Sequence, residues 1–199
     1  GKTNQQVILI DSTGRSYSLP AHNLPSARGQ GEPVTGRLNP PSGAQFEALV
    51  MGEEKATLLL SSDAGYGFIA SLSDLHSKNK AGKALLTLPT NSKVLPPKVV
   101  EVNAETHLVA VSNEGRMLAF PITELPVLAR GKGNKIMSIP AARAQSRDEI
   151  IVDVVALKPG ESLKVWAGKR HLAMKLSDMT HYLGERGRRG HKLPRGFQR

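Results

Sequence analysis

Four short stretches set lysine or arginine beside glycine: Arg28-Gly-Gln-Gly31, Lys78-Asn-Lys-Ala-Gly-Lys83, Arg130-Gly-Lys-Gly-Asn-Lys135 and Glu185-Arg-Gly-Arg-Arg-Gly190. Glycine lets backbone come close to a partner, and cations on such backbone suit phosphate or carboxylate oxygens. Each stretch runs into apolar residues: Val34–Leu38, Ala84–Leu88, Ile136–Ile139 and His191–Leu193. The candidate contacts are Arg28, Lys78, Lys80, Lys83, Arg130, Lys132, Lys135, Arg186, Arg188 and Arg189. Lys169 and Arg170, with Arg15 and Arg116, lie in nearby turns and add to the set.

Other chemistry has little to work with. Arg130–Lys135 has two glycines but not the GxxxxGK spacing, and it leads into a strand rather than a helix, so it is not a phosphate-cradling P-loop. No GxSxG elbow is present. His22, His76, His107, His171, His181 and His191 are scattered without metal-ligand spacing. The chain has no cysteine, which excludes disulfides and thiolate sites. Asp11, Asp63, Glu114 and Asp178 fall in turns, and no carboxylate pair stands out. These residues point to binding rather than catalysis, and no metal or cofactor is expected.

The charge agrees. The 199 residues carry 27 Lys+Arg against 17 Asp+Glu, a net charge of +10, and 39% are hydrophobic. That supports one domain with a real core and a polyanionic partner: nucleic acid first, an anionic membrane surface second. Residues 184–199 hold six of the basic residues against Glu185 alone, and read as a flexible arm, a contact, or both. No apolar run approaches the roughly 20 residues of a membrane-spanning helix, and no signal-peptide pattern opens the chain. The chain opens on Gly1, as a fragment of a longer protein would.

The elements that must position the loops repeat four times. An apolar strand, a glycine turn and a second strand occur as Val7–Ile10, Gly14, Ser16–Leu19; Thr57–Leu60, Gly65, Gly67–Ala70; Leu108–Val111, Gly115, Met117–Phe120; and Leu163–Trp166, Gly168, His171–Met174. The turn glycines are 51, 50 and 53 residues apart. An apolar plug follows each turn (Leu24, Leu75, Leu125, Met179), then the loop glycine (Gly31, Gly82, Gly133, Gly187). Three copies add an outer strand: Phe46–Met51, Val99–Val102 and Ile150–Leu157. A recurring unit of four short strands has the size of a propeller blade. Helical periodicity is scarce, with at most a turn or two around Leu176–Leu183. The expected fold is all-β, with blades around an axis and the ring open or lacking a unit before the first. It is one domain over residues 1–199, with units of about 1–51, 52–102, 103–157 and 158–199, the last incomplete. Trp166, Phe46, Phe68 and Phe120 sit on strands and read as core, which argues against a single-strand or RNA reader.

On Asp11–Tyr17, Leu24–Pro33, Ser62–Gly67, Ala81–Ala84, Gly131–Ile136 and Gly184–Gly190, the chain resembles the C-terminal domain of bacterial type IIA topoisomerase A subunits, on the topoisomerase IV side. The resemblance implies a β-pinwheel whose blades exchange strands, acting as a non-catalytic module that binds and bends duplex DNA. It implies a parent enzyme whose tyrosine nucleophile, ATP and magnesium lie on other domains or on the B subunit of an A2B2 assembly, so Tyr17, Tyr66 and Tyr182 are not that nucleophile. It also implies a monomeric domain in the cytoplasm, on the nucleoid, with peripheral inner-membrane association in reach. The gyrase version carries a box of the form Gln-Arg-Arg-Gly-Gly-Lys-Gly. Here Arg130–Gly133 and Glu185–Gly190 echo it only in part, which favours relaxation and decatenation over active supercoiling.

Overall fold

Short apolar stretches broken by glycine turns fold as antiparallel hairpins. In the computed structural model, which describes residues 5–25, 28–33 and 36–197, the strands in chain order are β1 (Gln6–Asp11), β2 (Arg15–Pro20), β3 (Phe46–Met51), β4 (Thr57–Ser61), β5 (Tyr66–Ser71), β6 (Lys83–Ala84), β7 (Lys98–Val100), β8 (His107–Ser112), β9 (Arg116–Pro121), β10 (Asn134–Lys135), β11 (Ile151–Leu157), β12 (Ser162–Ala167), β13 (Arg170–Lys175) and β14 (His191–Lys192). All eight hairpin strands and three outer strands expected from sequence are present.

The first turn shows how the hairpins close. Gly14 takes φ +85°, a region that favours glycine. The Asp11 carboxylate accepts from the Thr13 and Arg15 amides at 2.9 and 3.0 Å and from the Tyr17 hydroxyl at 2.6 Å. Asp11 is fully buried, so these bonds replace its lost hydration.

Sheet membership does not follow the sequence repeat. The sheets run β3-β1-β2-β6, β10-β5-β4-β7 and β11-β8-β9-β14, and β12 and β13 pair with each other alone among the described residues. One edge strand of each four-stranded blade comes from the next unit: β6 pairs with β2, β10 with β5 and β14 with β9. Beyond each donated strand an amide meets the preceding turn glycine. Leu86 donates to the Gly14 carbonyl at 2.9 Å, Ile136 to Gly65 at 2.7 Å and Leu193 to Gly115 at 2.8 Å.

Blades stack face to face, and each interface is a core. Ile8 and Ile10 meet Leu58, Leu60 and Phe68. Leu59 and Ile69 meet Leu108, Ala110, Leu118 and Phe120. Val109, Met117 and Ala119 meet Met174, Leu163, Val165 and Leu172. On the far side of the first blade, Leu9 and Tyr17 are covered by Leu38 and Phe46.

Several expectations need correction. The strands after the basic loops are only two residues long; β6 and β10 start earlier than Ala84–Leu88 and Ile136–Ile139 suggested, while β14 starts at His191 as expected and stops at Lys192. Residues 36–38 form no strand, while Val34 lies outside the described residues. These short segments pair through backbone at the loop itself and then dive as plugs (Leu85, Ile136 and Leu193 are buried). The fourth loop is longer, so Gly190, not Gly187, precedes the donated strand. Leu75, Leu125 and Met179 are buried plugs, but Leu24 is 39% exposed. A helix at Ala141–Ser146, away from the Leu176–Leu183 stretch that the sequence favoured, starts after Pro140 and is ended by Arg147 at φ +62°. Around Leu176–Met179 the chain makes one 3-10 turn. The tail is not a free arm through Phe197, whose ring packs on the third core. Phe68 and Phe120 are core and Phe46 is half-buried, but Trp166 is 62% exposed.

Candidate nucleic-acid interface

The segment after each basic loop hydrogen-bonds to the next loop. The Asn39 amide donates to Lys80 O at 2.8 Å. Thr87 N donates to Gly131 O and Gly131 N to Leu85 O, both at 2.9 Å. Gly187 N donates to Ile136 O at 2.9 Å and Ser138 N to Arg188 O at 3.0 Å. This backbone ladder sets the four loops in succession along one rim, beside the donated strands. The loop glycines serve it: a Cβ on Gly133 would lie 2.1 Å from Gly67 O, and one on Gly190 2.4 Å from Met117 O. The close approach made by these glycines is therefore to the preceding blade, a different partner from the one their sequence suggested.

The candidate cations divide into two groups. Lys78, Lys80, Arg130, Lys132, Lys135, Lys169, Arg170 and Arg188 are exposed, as is Arg28. Lys132 lies 4.3 Å over the Tyr66 ring, and Arg188 pairs with Glu185 at 2.9 Å. Other heads are spent on the fold. Lys83 donates to Asp74 O at 2.6 Å. Arg186 reaches Glu124 O and Lys135 O, both at 2.8 Å. Arg189 donates to Ser138 O at 2.8 Å and pairs at 2.7 Å with Glu149, a fully buried carboxylate that also has Arg143 at 3.6 Å. The exposed group projects positive charge along the rim, where phosphate oxygens would meet it without regard to sequence.

The fold matches known proteins. The family model described as DNA gyrase C-terminal domain, beta-propeller, matches residues 56–101 and 106–158. The solved structure of the E. coli ParC C-terminal domain superposes with a TM-score of 0.93 at 47% identity, covering 100% of this chain and 80% of that one. The chain belongs to the family of C-terminal domains found in topoisomerase IV and gyrase A subunits. The DNA topoisomerase 4 A subunit of Pseudomonas aeruginosa is 56% identical over 199 residues, and that of Haemophilus influenzae 52% over 197. These matches take in 100% and 99% of the chain but 26% of each relative, so the chain spans about a quarter of their length. The C-terminal domain of DNA gyrase A shares the fold alone, at 17% identity, TM-score 0.70, with 99% of this chain and 64% of that one covered.

Sequence reasoning missed how this β-pinwheel domain uses its turn arginines. Arg15 donates to Ala81 O and Gly82 O at 3.1 and 3.0 Å, and Arg116 to Gly190 O at 3.3 Å, so both clasp the loop donated by the next unit. Their place immediately after the turn glycine was the available signal. Arg147 was also unmarked; it ties the short helix to the second blade through Asp63 at 2.7 Å and Asn91 O at 2.7 Å. Tyr17 is the opposite of an activated phenol. Burial, then the hydrogen bond to Asp11, push its pKa up to about 12. His181 and His191 stack at 4.5 Å beside the fourth loop, yet no group of three metal-capable side chains occurs among the described residues.

Proposed function

We propose that this domain binds duplex DNA along the rim through its phosphates, independently of sequence, and bends it around the stacked blades. The supporting observation is the backbone ladder that sets four basic loops in succession. In the parent protein the domain would hold the transported segment for relaxation and decatenation, and so serve chromosome segregation. The catalytic tyrosine, ATP and magnesium would lie outside this chain, in an assembly with the N-terminal part of the same polypeptide and with the B subunit. The place of work would be the cytoplasm, on the nucleoid.

The test is affinity for a random-sequence duplex across a salt series. A phosphate rim predicts a log–log slope near −0.9 for each phosphate neutralised, or about −4 to −6 for five or six contacts. Arg130→Glu with Lys132→Glu should weaken binding at least about tenfold while lowering stability by no more than about 1 kcal/mol, because both side chains are exposed and the Lys132 contact with the Tyr66 ring is a surface one. Salt-independent binding, or charge reversal without effect, would overturn the reading.

A further inference from the structure

The second hairpin departs from the first and third on both sides of its turn glycine. Before that glycine the first has Thr13 and the third Glu114; the second has Ala64. After it stand Arg15 and Arg116, each clasping the loop donated by the next unit; the second has Tyr66. A phenol has one donor and cannot repeat the two-pronged clasp of Arg15. Instead Lys132, on the donated loop, holds its ammonium 4.3 Å over the Tyr66 ring. At this turn an alanine and a ring stand where the other two hairpins have polar side chains.

The exchange leaves a cleft of about 270 Å³ between the second hairpin turn and the short helix. Its floor is apolar, with Ala64, Ile139 and Ala144 all buried. Pro89 and the Tyr66 ring line its sides. Lys132, Thr90 and Gln145 are exposed and stand at its mouth. Their side chains make no ion pair or hydrogen bond among the described residues, and no acid lines the cleft. All lining residues fall between positions 64 and 145.

The walls are fixed before anything enters. Asn91 and Arg147 are the two non-glycine residues at positive φ among those described, +60° and +62°. Each holds the other's segment. The Asn91 side chain donates to Gln145 O at 3.1 Å, and Arg147 donates to Asn91 O at 2.7 Å. Arg147 is anchored in turn on the Asp63 carboxylate at 2.7 Å, next to Ala64. Such backbone persists only where its surroundings enforce it. The clasp ties the turn after Pro89 to the end of the helix, so the cleft is preorganised.

We propose that this cleft binds a small aromatic anion, a planar ring with a short carboxylate arm. The ring would lie on the apolar floor beside Tyr66. The carboxylate would meet Lys132, with Thr90 and Gln145 as further donors. The floor alone would not select anions, and rim lysines alone would not select rings. The site stands apart from the DNA-binding reading. Lys132 is the one residue in both, so an occupied cleft would withdraw that head from the rim.

The probe is indole-3-acetate. Tryptamine, the same ring with a cation, and acetate, the same charge without a ring, are the controls. Amide NMR spectra of the nitrogen-15-labelled chain are recorded without DNA. Expected are saturable shifts at Thr90, Lys132, Gln145 and their neighbours, with a Kd of about 1 mM or tighter. Tryptamine and acetate should bind there at least about tenfold more weakly. Lys132→Met should weaken the probe about tenfold. Ala141→Trp, at an exposed lining position, should abolish binding by filling the cleft. Lys80→Met, which removes an exposed lysine from the preceding loop, should leave binding unchanged. Circular dichroism of each variant confirms the native fold. Absence of saturable shifts, an equal response to either control, or unchanged binding in Lys132→Met or Ala141→Trp would overturn the proposal.

Discussion

Arg130 and Arg189 look alike in sequence, each an arginine beside a loop glycine. Arg189 neutralises Glu149, whose carboxylate has no exposure, whereas the Arg130 side chain is exposed and makes no ion pair among the described residues. Removing one partner of a buried pair strands the other charge. Arg189→Ala should therefore lower unfolding free energy by about 2 to 3 kcal/mol, with Arg143 still offering partial compensation. Arg130→Ala should change it by under about 0.5 kcal/mol but weaken duplex binding. Urea unfolding and DNA titration of both variants check the split. Tyr17 gives a second prediction at this scale. Its folded pKa is raised from 10.0 to about 12, so between those values the unfolded chain sheds the proton first. Its contribution is full below pH 10 and is lost as pH rises toward 12, on the order of 2 kcal/mol. Tyr17→Phe should flatten that part of the alkaline stability curve relative to the native chain. At neutral pH it should cost about 1 to 2 kcal/mol, because Asp11 loses a buried hydrogen-bond donor.

Gly133 and Gly31 compare at the scale of the loop and its donated strand. Both take positive φ, +82° and +74°, so alanine strains both backbones. Only Gly133 presses on the preceding blade, its would-be Cβ 2.1 Å from Gly67 O; around Gly31 nothing among the described residues lies within 4 Å. Gly31→Ala should cost about 1 kcal/mol and Gly133→Ala at least about 3, read by thermal denaturation, because the latter must push β10 off β5. The hairpins were legible in the sequence because period-two apolarity and glycine turns act within some fifteen residues. The donated strands were not. A two-residue strand has no period to detect, and its partner lies some 67 residues away, as Lys83 pairs with Ser16. The basic character of the loops was visible, but which cations are spent on carbonyls was not, since that depends on the neighbouring blade. Trp166 departs from the core reading for a related reason: apolar alternation marks a strand, while exposure depends on what packs against it, and no strand among the described residues flanks β12-β13.

At the scale of the whole molecule, strand exchange ties the stability of each blade to the unit that follows it. Residues 184–199 show this most directly. They belong to the fourth unit by sequence, yet β14 closes the sheet of the third, Leu193 plugs the third core, and Arg189 neutralises Glu149. The hairpin β12-β13, by contrast, pairs with no strand of this segment among the described residues and meets it through side chains of the third core, Leu193 and Phe197. A chain ending at Leu183 should therefore loosen the third blade more than the fourth. Amide hydrogen exchange is the measurement: protection should fall most in β9, which loses β14, and in residues 136–138, which lose their bonds to Gly187 and Arg188. Amides of β4 and β5 away from β10 should change little. Independent blades would give the reverse pattern, with the loss confined to β12 and β13. The comparison also bears on DNA binding, because the same truncation removes the fourth basic loop. If the rim acts through its ladder, affinity should fall by more than the charge of that loop alone accounts for, since the third loop loses the neighbour that holds residues 136–138 in place.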